Sequence, residues 1–267
     1  MDIRLLLIDA QKDFCDPDTG SLYVSGAEND CDRVSTMIGR LGKKITRIHA
    51  TLDQHHPMAI FHPMFWIDSS GTNPDPFTII SVDDLANSRW RTRAPQFQDY
   101  AEHYVGSLES GSRYPLCIWP YHCLIGSPGA AVMPSVFTAM TEWEQKYFRM
   151  VEYISKGSNY KTEHYSAVKA EVPDPEDPVG TNLNQTLIET LEEADMILLA
   201  GQAKSHCLAN TVRDVADNFS DPVYIKKLYL LEDSTSSVTG FEQLGVDFQK
   251  EMIAKGMNVT TTTEVLA

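Results

Sequence analysis

The chain has 267 residues, 42% of them hydrophobic and 22% charged, which is ordinary for a soluble globular protein and enough to build a core. A formal net charge of −15 sets the surface against phosphate backbones, so nucleic acid is not an expected partner. The sequence has no apolar run of about twenty residues and no basic n-region ahead of a long apolar stretch, and its five cysteines are odd in number and irregularly spaced. The expectation is a cytoplasmic protein that neither spans a membrane nor carries disulfides.

In chain order, Leu5, Leu6, Leu7 and Ile8 form an apolar run that reads as a strand buried on both faces, ending on Asp9. Cys31, Val34, Ile38 and Leu41 then recur at steps of three and four, predicting a helix that Gly42 ends. A β-rich run, ITRIHATLD, closes on Asp53, and VEYIS leads a further strand to Lys156. Asn182 is the expected N-cap of a helix carrying Leu183, Leu187, Ile188 and Leu191. The strand MILLAG follows, then a helix carrying Leu208, Val212, Val215 and Phe219. A strand over VYIKKLYLLED, a helix near 238–255 and a final strand over MNVTTTTEV complete the chain. The β-α-β alternation predicts a doubly wound parallel sheet of about six strands, with helices on both faces. The expected organisation is one domain over 1–267, with a loop-rich insertion at about 63–116 that lacks a clean period.

Asp9, Lys156 and Cys207 all fall at the carboxyl ends of predicted parallel strands, where open sheets place their ligands. Taken singly, each has a bland explanation: a turn-capping carboxylate, a solvated lysine, a small core cysteine. Together they supply a base, an electrostatic partner and a nucleophile on one rim. Cys207 opens a helix just after Gly201, where the helix dipole favours thiolate and backbone N–H groups could hold an oxyanion.

The segment HATLDQHHPMAIFH offers Asp53, His55, His56 and His62, and His122 lies farther on. Asp-x-His on extended chain puts both side chains on one side. One carboxylate and two imidazoles suit Zn²⁺, Mn²⁺ or Fe²⁺ with positions left open. Phe14, Trp119 and Tyr165 lie close in sequence to these residues and could wall a flat apolar substrate. His49, His103 and His164 read as structural.

These residues together resemble the isochorismatase-like cysteine hydrolases, and within them the nicotinamidase/pyrazinamidase group. LLLIDAQKDF is similar to that family's first-strand motif, SKGSNY to its lysine motif, GQAKSHCLANTVRDV to its nucleophile motif, and LDQHHP and WPYHC to its metal motifs. The resemblance implies that Asp9, Lys156 and Cys207 are catalytic and that Phe14 stacks on a ring. Trp119 and Tyr165 would line the pocket. It further implies a cis peptide between Gln202 and Ala203, an oxyanion hole from the Ala203 and Cys207 amides, and a divalent metal, zinc first, on Asp53, His55 and His122. Neither His56 nor His62 is assigned. The implied activity is hydrolysis of nicotinamide to nicotinic acid and ammonia, a step of NAD salvage, by a homo-oligomer acting on a small-molecule amide. The alternatives are a cysteine hydrolase of another amide, a carbamoyl or ureido compound whose carboxylate the insertion's Arg89, Arg91 and Arg93 would bind, or a non-catalytic ligand-binding relative.

Overall fold

A computed structural model describes residues 1–111 and 113–267. Six strands form one sheet: β1 (Ile3–Ile8), β2 (Ile45–Asp53), β3 (Val151–Lys156), β4 (Met196–Gly201), β5 (Leu228–Leu231) and β6 (Asn258–Thr260). Their order is β6-β5-β4-β1-β2-β3 and every pairing is parallel. Every residue of β1 is buried, as its unbroken apolar run requires of a central parallel strand.

The strand order reverses direction at β1. Right-handed crossovers therefore send the helices before and after that point to opposite faces. Helix α1 (Ala27–Leu41) packs on α3 (Pro134–Tyr147), and α5 (Cys207–Asn218) packs on α6 (Glu242–Lys255). β1 and β4 stay paired to their ends, and the connections that leave them part to opposite faces at this reversal, opening a crevice beside Asp9.

Four local readings of the sequence are revised. The insertion is not structureless: it holds a helix, α2 (Gln98–Ser110), that buries Ala101, Tyr104, Val105 and Leu108 at helical spacing. It also holds two antiparallel pairings of two residues each, Trp66–Ile67 with Arg91–Thr92 and Ile79–Ile80 with Leu116–Cys117. The helix before β4, α4 (Gln185–Glu192), is capped by Asn184 rather than Asn182, its side chain accepting the Leu187 N–H at 3.1 Å. The first half of VYIKKLYLLED is a 3₁₀ helix, Pro222–Lys227, because Asp221 caps the Val223 N–H at 2.9 Å and Pro222 fits a first turn. The closing strand stops at Thr260, since Asp233 takes both the N–H and the hydroxyl of Thr262, at 2.8 and 2.6 Å. Among the described residues, no helix is long and apolar enough to cross a membrane.

Candidate active site

β1 ends at Ile8, and Asp9 adopts a positive φ of 43°, a conformation that aspartate tolerates better than most residues. Its side chain turns back to β2, where the Thr51 hydroxyl donates to Asp9 Oδ1 at 2.5 Å and accepts the Asp9 N–H at 3.0 Å. The polar residues just behind Asp9 hold the frame. Gln11 clamps the end of β2, its Oε1 accepting the Asp53 N–H at 2.7 Å and its Nε2 donating to the Asp53 carbonyl at 2.8 Å. Asp13 Oδ2 accepts the Cys123 N–H at 2.6 Å and so fixes the loop carrying His122.

β2 and β3 are paired in register, with Asp53 opposite Lys156. Lys156 is only 4% exposed. Its Nζ donates to Asp53 Oδ1 at 2.8 Å and to the His164 carbonyl at 2.8 Å, and it lies 3.7 Å from Cys207 Sγ. Asp9 Oδ2 lies 2.9 Å from Nζ as a buried ion pair. Acceptor atoms of Asp9 and Asp53 and the Cys207 sulfur all lie within 4.8 Å of one another. Three residues from separate strand ends thus meet at one rim.

The ionisation of this cluster follows from burial. Burial pushes the Asp9 carboxyl up, only partly offset by the Lys156 ammonium. Asp53 is also penalised by burial, but His55 and Lys156 outweigh it and hold the carboxyl well below its usual range. Cys207 corrects an expectation. Burial drives its thiol well above the usual value, with Lys156 opposing and Asp9 adding to the rise. Burial therefore works against the thiolate that the helix N-terminus and Lys156 favour. The side chain is 7% exposed, so the charged form lacks the water that would stabilise it.

Cys207 is the first residue of α5, and the turn before it has a cis peptide between Gln202 and Ala203. Among the described residues, neither the Ala203 nor the Cys207 N–H has an acceptor. Gly201 sits at φ 105°, and a Cβ there would come 2.0 Å from the Ile8 carbonyl oxygen, so only glycine lets β4 lie this close to β1.

Asp53, His55 and His122 form a buried group of three metal-capable side chains. His55 Nδ1 faces the Gly157 carbonyl at 3.0 Å and His122 Nδ1 faces the Pro120 carbonyl at 2.8 Å. Those carbonyls can accept only an N–H, so each ring, when neutral, carries its lone pair on Nε2, which lies 3.1 Å (His55) and 4.0 Å (His122) from Asp53 Oδ2; Asp53 raises His55, so a cation binding there would displace a proton from His55 Nε2. His55 Nε2 is buried, with Asp53 as its polar neighbour. Burial and His55 bring His122 down to about 4, so its imidazole is neutral and able to coordinate. Gly157, at φ 80°, makes room: a Cβ there would lie 2.5 Å from His55 Cε1. A buried imidazole nitrogen beside Asp53, a second imidazole that is neutral, and an ionised carboxylate fit a borderline divalent cation such as zinc.

The pocket above these groups is narrow: about 350 Å³ of space counting the open solvent at its mouth, of which about 30 Å³ admits the centre of a water-sized sphere. Phe14, Trp119 and Tyr165 line it, with Asp53, His122 and Cys207 at the polar end. Trp119 Nε1 donates to the Tyr165 hydroxyl at 3.0 Å, and Phe14 meets the His122 ring edge-on at 5.4 Å. Several neighbours were not singled out from sequence. Glu163, held up to about 7 by burial, Leu22, His206 and Val238 also line the cavity. His62 comes within 5.8 Å of His55 and 5.6 Å of His122, ring centre to ring centre, with its Nε2 buried and unpaired, but lies outside the group of three. The spacing of His62 from the strand end hid this approach, because successive turns fold the chain back before it: the Ala59 N–H donates to the His56 carbonyl at 3.1 Å and the His62 N–H to the Ala59 carbonyl at 2.8 Å. His49 lies in the core beside Glu152, His103 is exposed, and His164 contributes its carbonyl to Lys156. Arg89, Arg91 and Arg93 are exposed and do not line the pocket; Arg89 pairs with Asp84, and Arg93 binds the Met64 carbonyl and Asn73.

No protein-family model matches the chain, and no curated protein matches it in sequence. Solved structures do. The yeast nicotinamidase bound to the inhibitor nicotinaldehyde is 19% identical, with a TM-score of 0.66 over 97% of this chain and 99% of its own. A nicotinamidase/pyrazinamidase of Acinetobacter baumanii is 18% identical, with a TM-score of 0.63 over 99% and 98%. The pyrazinamidase of Pyrococcus horikoshii in complex with zinc is 18% identical, with a TM-score of 0.54 over 98% and 99%. The chain therefore has the nicotinamidase fold, the fold that its strand-end motifs imply.

Proposed function

We propose that this protein is a metal-dependent cysteine amidohydrolase that converts nicotinamide to nicotinic acid and ammonia. The observation that carries the reading is the position of Lys156 Nζ, 2.9 Å from Asp9 and 3.7 Å from the Cys207 sulfur, beside a three-ligand metal group in one aromatic-walled pocket. A structural cysteine or a solvated lysine has no reason to be assembled with these partners.

Phe14 and Trp119 would hold the ring, and the carboxamide would reach the sulfur. Asp53, His55 and His122 would hold the metal, which when bound supplies Lewis acidity to a ring nitrogen or a water. The Asp9 carboxylate, with an oxygen within 4.8 Å of the sulfur, takes the thiol proton as sulfur bonds to the amide carbon. The carbonyl electron pair moves to oxygen, where the Ala203 and Cys207 N–H groups receive it. Asp9 then gives its proton to the departing nitrogen, the C–N bond breaks, and a thioester remains on Cys207. Water adds to that thioester with Asp9 as base, the C–S bond breaks, and the thiol is restored. A raised Asp9 and a raised Cys207 suit this exchange, because the proton moves between groups brought closer in affinity by the same burial. Lys156 keeps one positive charge beside whichever group is ionised.

The relatives named above act on nicotinamide or pyrazinamide by their titles, and two of them were solved with nicotinaldehyde or with zinc. The absence of arginine from the pocket lining favours a neutral ring amide over a carboxylate-bearing ureido compound. The test is ammonia release from nicotinamide, pyrazinamide and a panel of carbamoyl and ureido compounds by zinc-loaded protein. The reading expects turnover of the ring amides and its loss, by at least about 10³-fold, in Cys207→Ser. Turnover confined to ureido compounds, or full activity in Cys207→Ser, would refute it.

A further inference from the structure

The turn offering the Ala203 N–H is held from a distance. Gln202, the residue before Ala203, is buried, and its side chain points away from the pocket to α1. There Gln202 Nε2 donates to Asp30 Oδ2 at 2.8 Å, and the Ser236 hydroxyl donates to the same oxygen at 2.7 Å. Asp30 Oδ1 accepts from Arg33 at 2.8 Å. The circuit then closes on the backbone. Ser236 N–H donates to Gln202 Oε1 at 3.1 Å, and the Ser236 carbonyl accepts the Lys204 N–H at 2.8 Å. Residues 202 and 204, on either side of Ala203, are therefore both tied to Ser236, and Ser236 is tied to Asp30.

From this we infer that Asp30 is a positioning residue for the oxyanion hole, acting through Gln202 and Ser236. Asp30 touches neither the sulfur nor the pocket; it fixes the direction of the Ala203 N–H. The chemistry requires a carboxylate. Three donors converge on Asp30, one each from Gln202, Ser236 and Arg33. A carboxylate accepts from all three, whereas an amide of the same shape must point an N–H at one of them. Gln202 and the Asp30 carboxylate are buried, so an N–H turned on Gln202 or Ser236 is not relieved by water and shifts the turn, whereas one turned on Arg33, whose side chain is 43% exposed, releases Arg33 to solvent; Gln202→Met, which removes both side-chain bonds of the turn, is therefore tested beside Asp30→Asn. A small shift matters at this place, since an oxyanion donor works only at hydrogen-bond distance from the developing charge. Phe14 and Trp119, which would bind the ring, lie on other segments and stay in place.

The inference rests on the amidohydrolase reading, and the experiment separates the two. Steady-state kinetics on nicotinamide are measured for zinc-loaded wild type, Asp30→Asn, Gln202→Met and Ser236→Ala. Inhibition by nicotinaldehyde and by nicotinate is measured for each. The aldehyde adds the Cys207 sulfur to its carbonyl carbon and places the carbonyl electron pair on oxygen, so it needs the hole; nicotinate needs only the ring site. Asp30→Asn and Gln202→Met are expected to lower kcat by about 10- to 100-fold with KM changed less than about twofold. They should weaken nicotinaldehyde by a similar factor and leave nicotinate unchanged. Ser236→Ala removes one of the bonds to Asp30 from a partly exposed site, keeps the fold if Asp30→Asn does not, and should show the same pattern at smaller size. Unchanged kcat in both Asp30→Asn and Gln202→Met, or equal weakening of both inhibitors in a folded variant, overturns the positioning role alone. A wild type that turns over no ring amide overturns the amidohydrolase reading and this inference with it.

Discussion

Replacing Lys156 with methionine removes the cation placed between the buried carboxylates of Asp9, at 2.9 Å, and Asp53, at 2.8 Å. The two are not left equally exposed to the loss. Asp53 keeps His55 at 3.1 Å, and a bound metal would serve it further. Asp9 keeps only the Thr51 hydroxyl, so Asp9 carries the uncompensated charge. Breaking a buried pair in this way costs about 3–5 kcal/mol. In a chain of this size that lowers Tm by roughly 10 °C. The pH dependence identifies the cause. Burial already raises Asp9, and without Lys156 it rises further, far above its value of about 3.9 in the unfolded chain. The folded variant then binds a proton that the unfolded chain does not, so its deficit is full at high pH and shrinks as pH falls through the raised value. Thermal melts of wild type and Lys156→Met from pH 8 to pH 5 should converge toward acid. Adding Asp9→Asn to Lys156→Met should recover part of the lost stability while restoring no activity. A variant melting within about 2 °C of wild type at pH 8, or a deficit that does not narrow toward pH 5, would refute the placement of charge argued here.

Other outcomes follow from the same geometry. Gly157→Ala puts a methyl 2.5 Å from His55 Cε1 at a φ of 80°; it should cost about 1–2 kcal/mol by denaturant titration and weaken zinc affinity at least about tenfold. Wild type treated with chelator should lose turnover and regain it on adding zinc, whereas His122→Ala should bind zinc more weakly by calorimetry; full activity in metal-free protein would contradict the ligand group. Burial holds His206 down to about 3, below its unfolded value near 6.5, so the unfolded chain takes up this proton first and stability falls as pH drops below about 6.5. That one group accounts for about 2 kcal/mol at pH 5, and His206→Asn should flatten the fall in urea-unfolding free energy between pH 6.5 and pH 5 by about that much.

The sequence alone determined the sheet and the rim. An unbroken apolar run such as Leu5–Ile8 has one stable home, inside a parallel sheet, and strand-end residues in such a sheet share an edge whatever their separation along the chain. That is why Asp9, Lys156 and Cys207 could be placed together before any coordinates, and why Asp53 and His55 could be joined to them. Tertiary structure alone decided what those groups are chemically. The thiol state of Cys207 depends on how completely it is buried, and the helix-dipole argument, being local, pointed the other way. The nitrogens facing the metal site were set by the carbonyls of Gly157 and Pro120, which sequence does not aim. The insertion's helix was hidden because Ala101, Tyr104, Val105 and Leu108 sit among polar and glycine-rich neighbours that blur their period. Asp30 and Gln202 stand 172 residues apart, and no local pattern pairs a helix carboxylate with a turn amide at that distance. Periodicity reports which face a residue is on; charge, protonation and hydrogen-bond partners are fixed only when distant faces meet and exclude water.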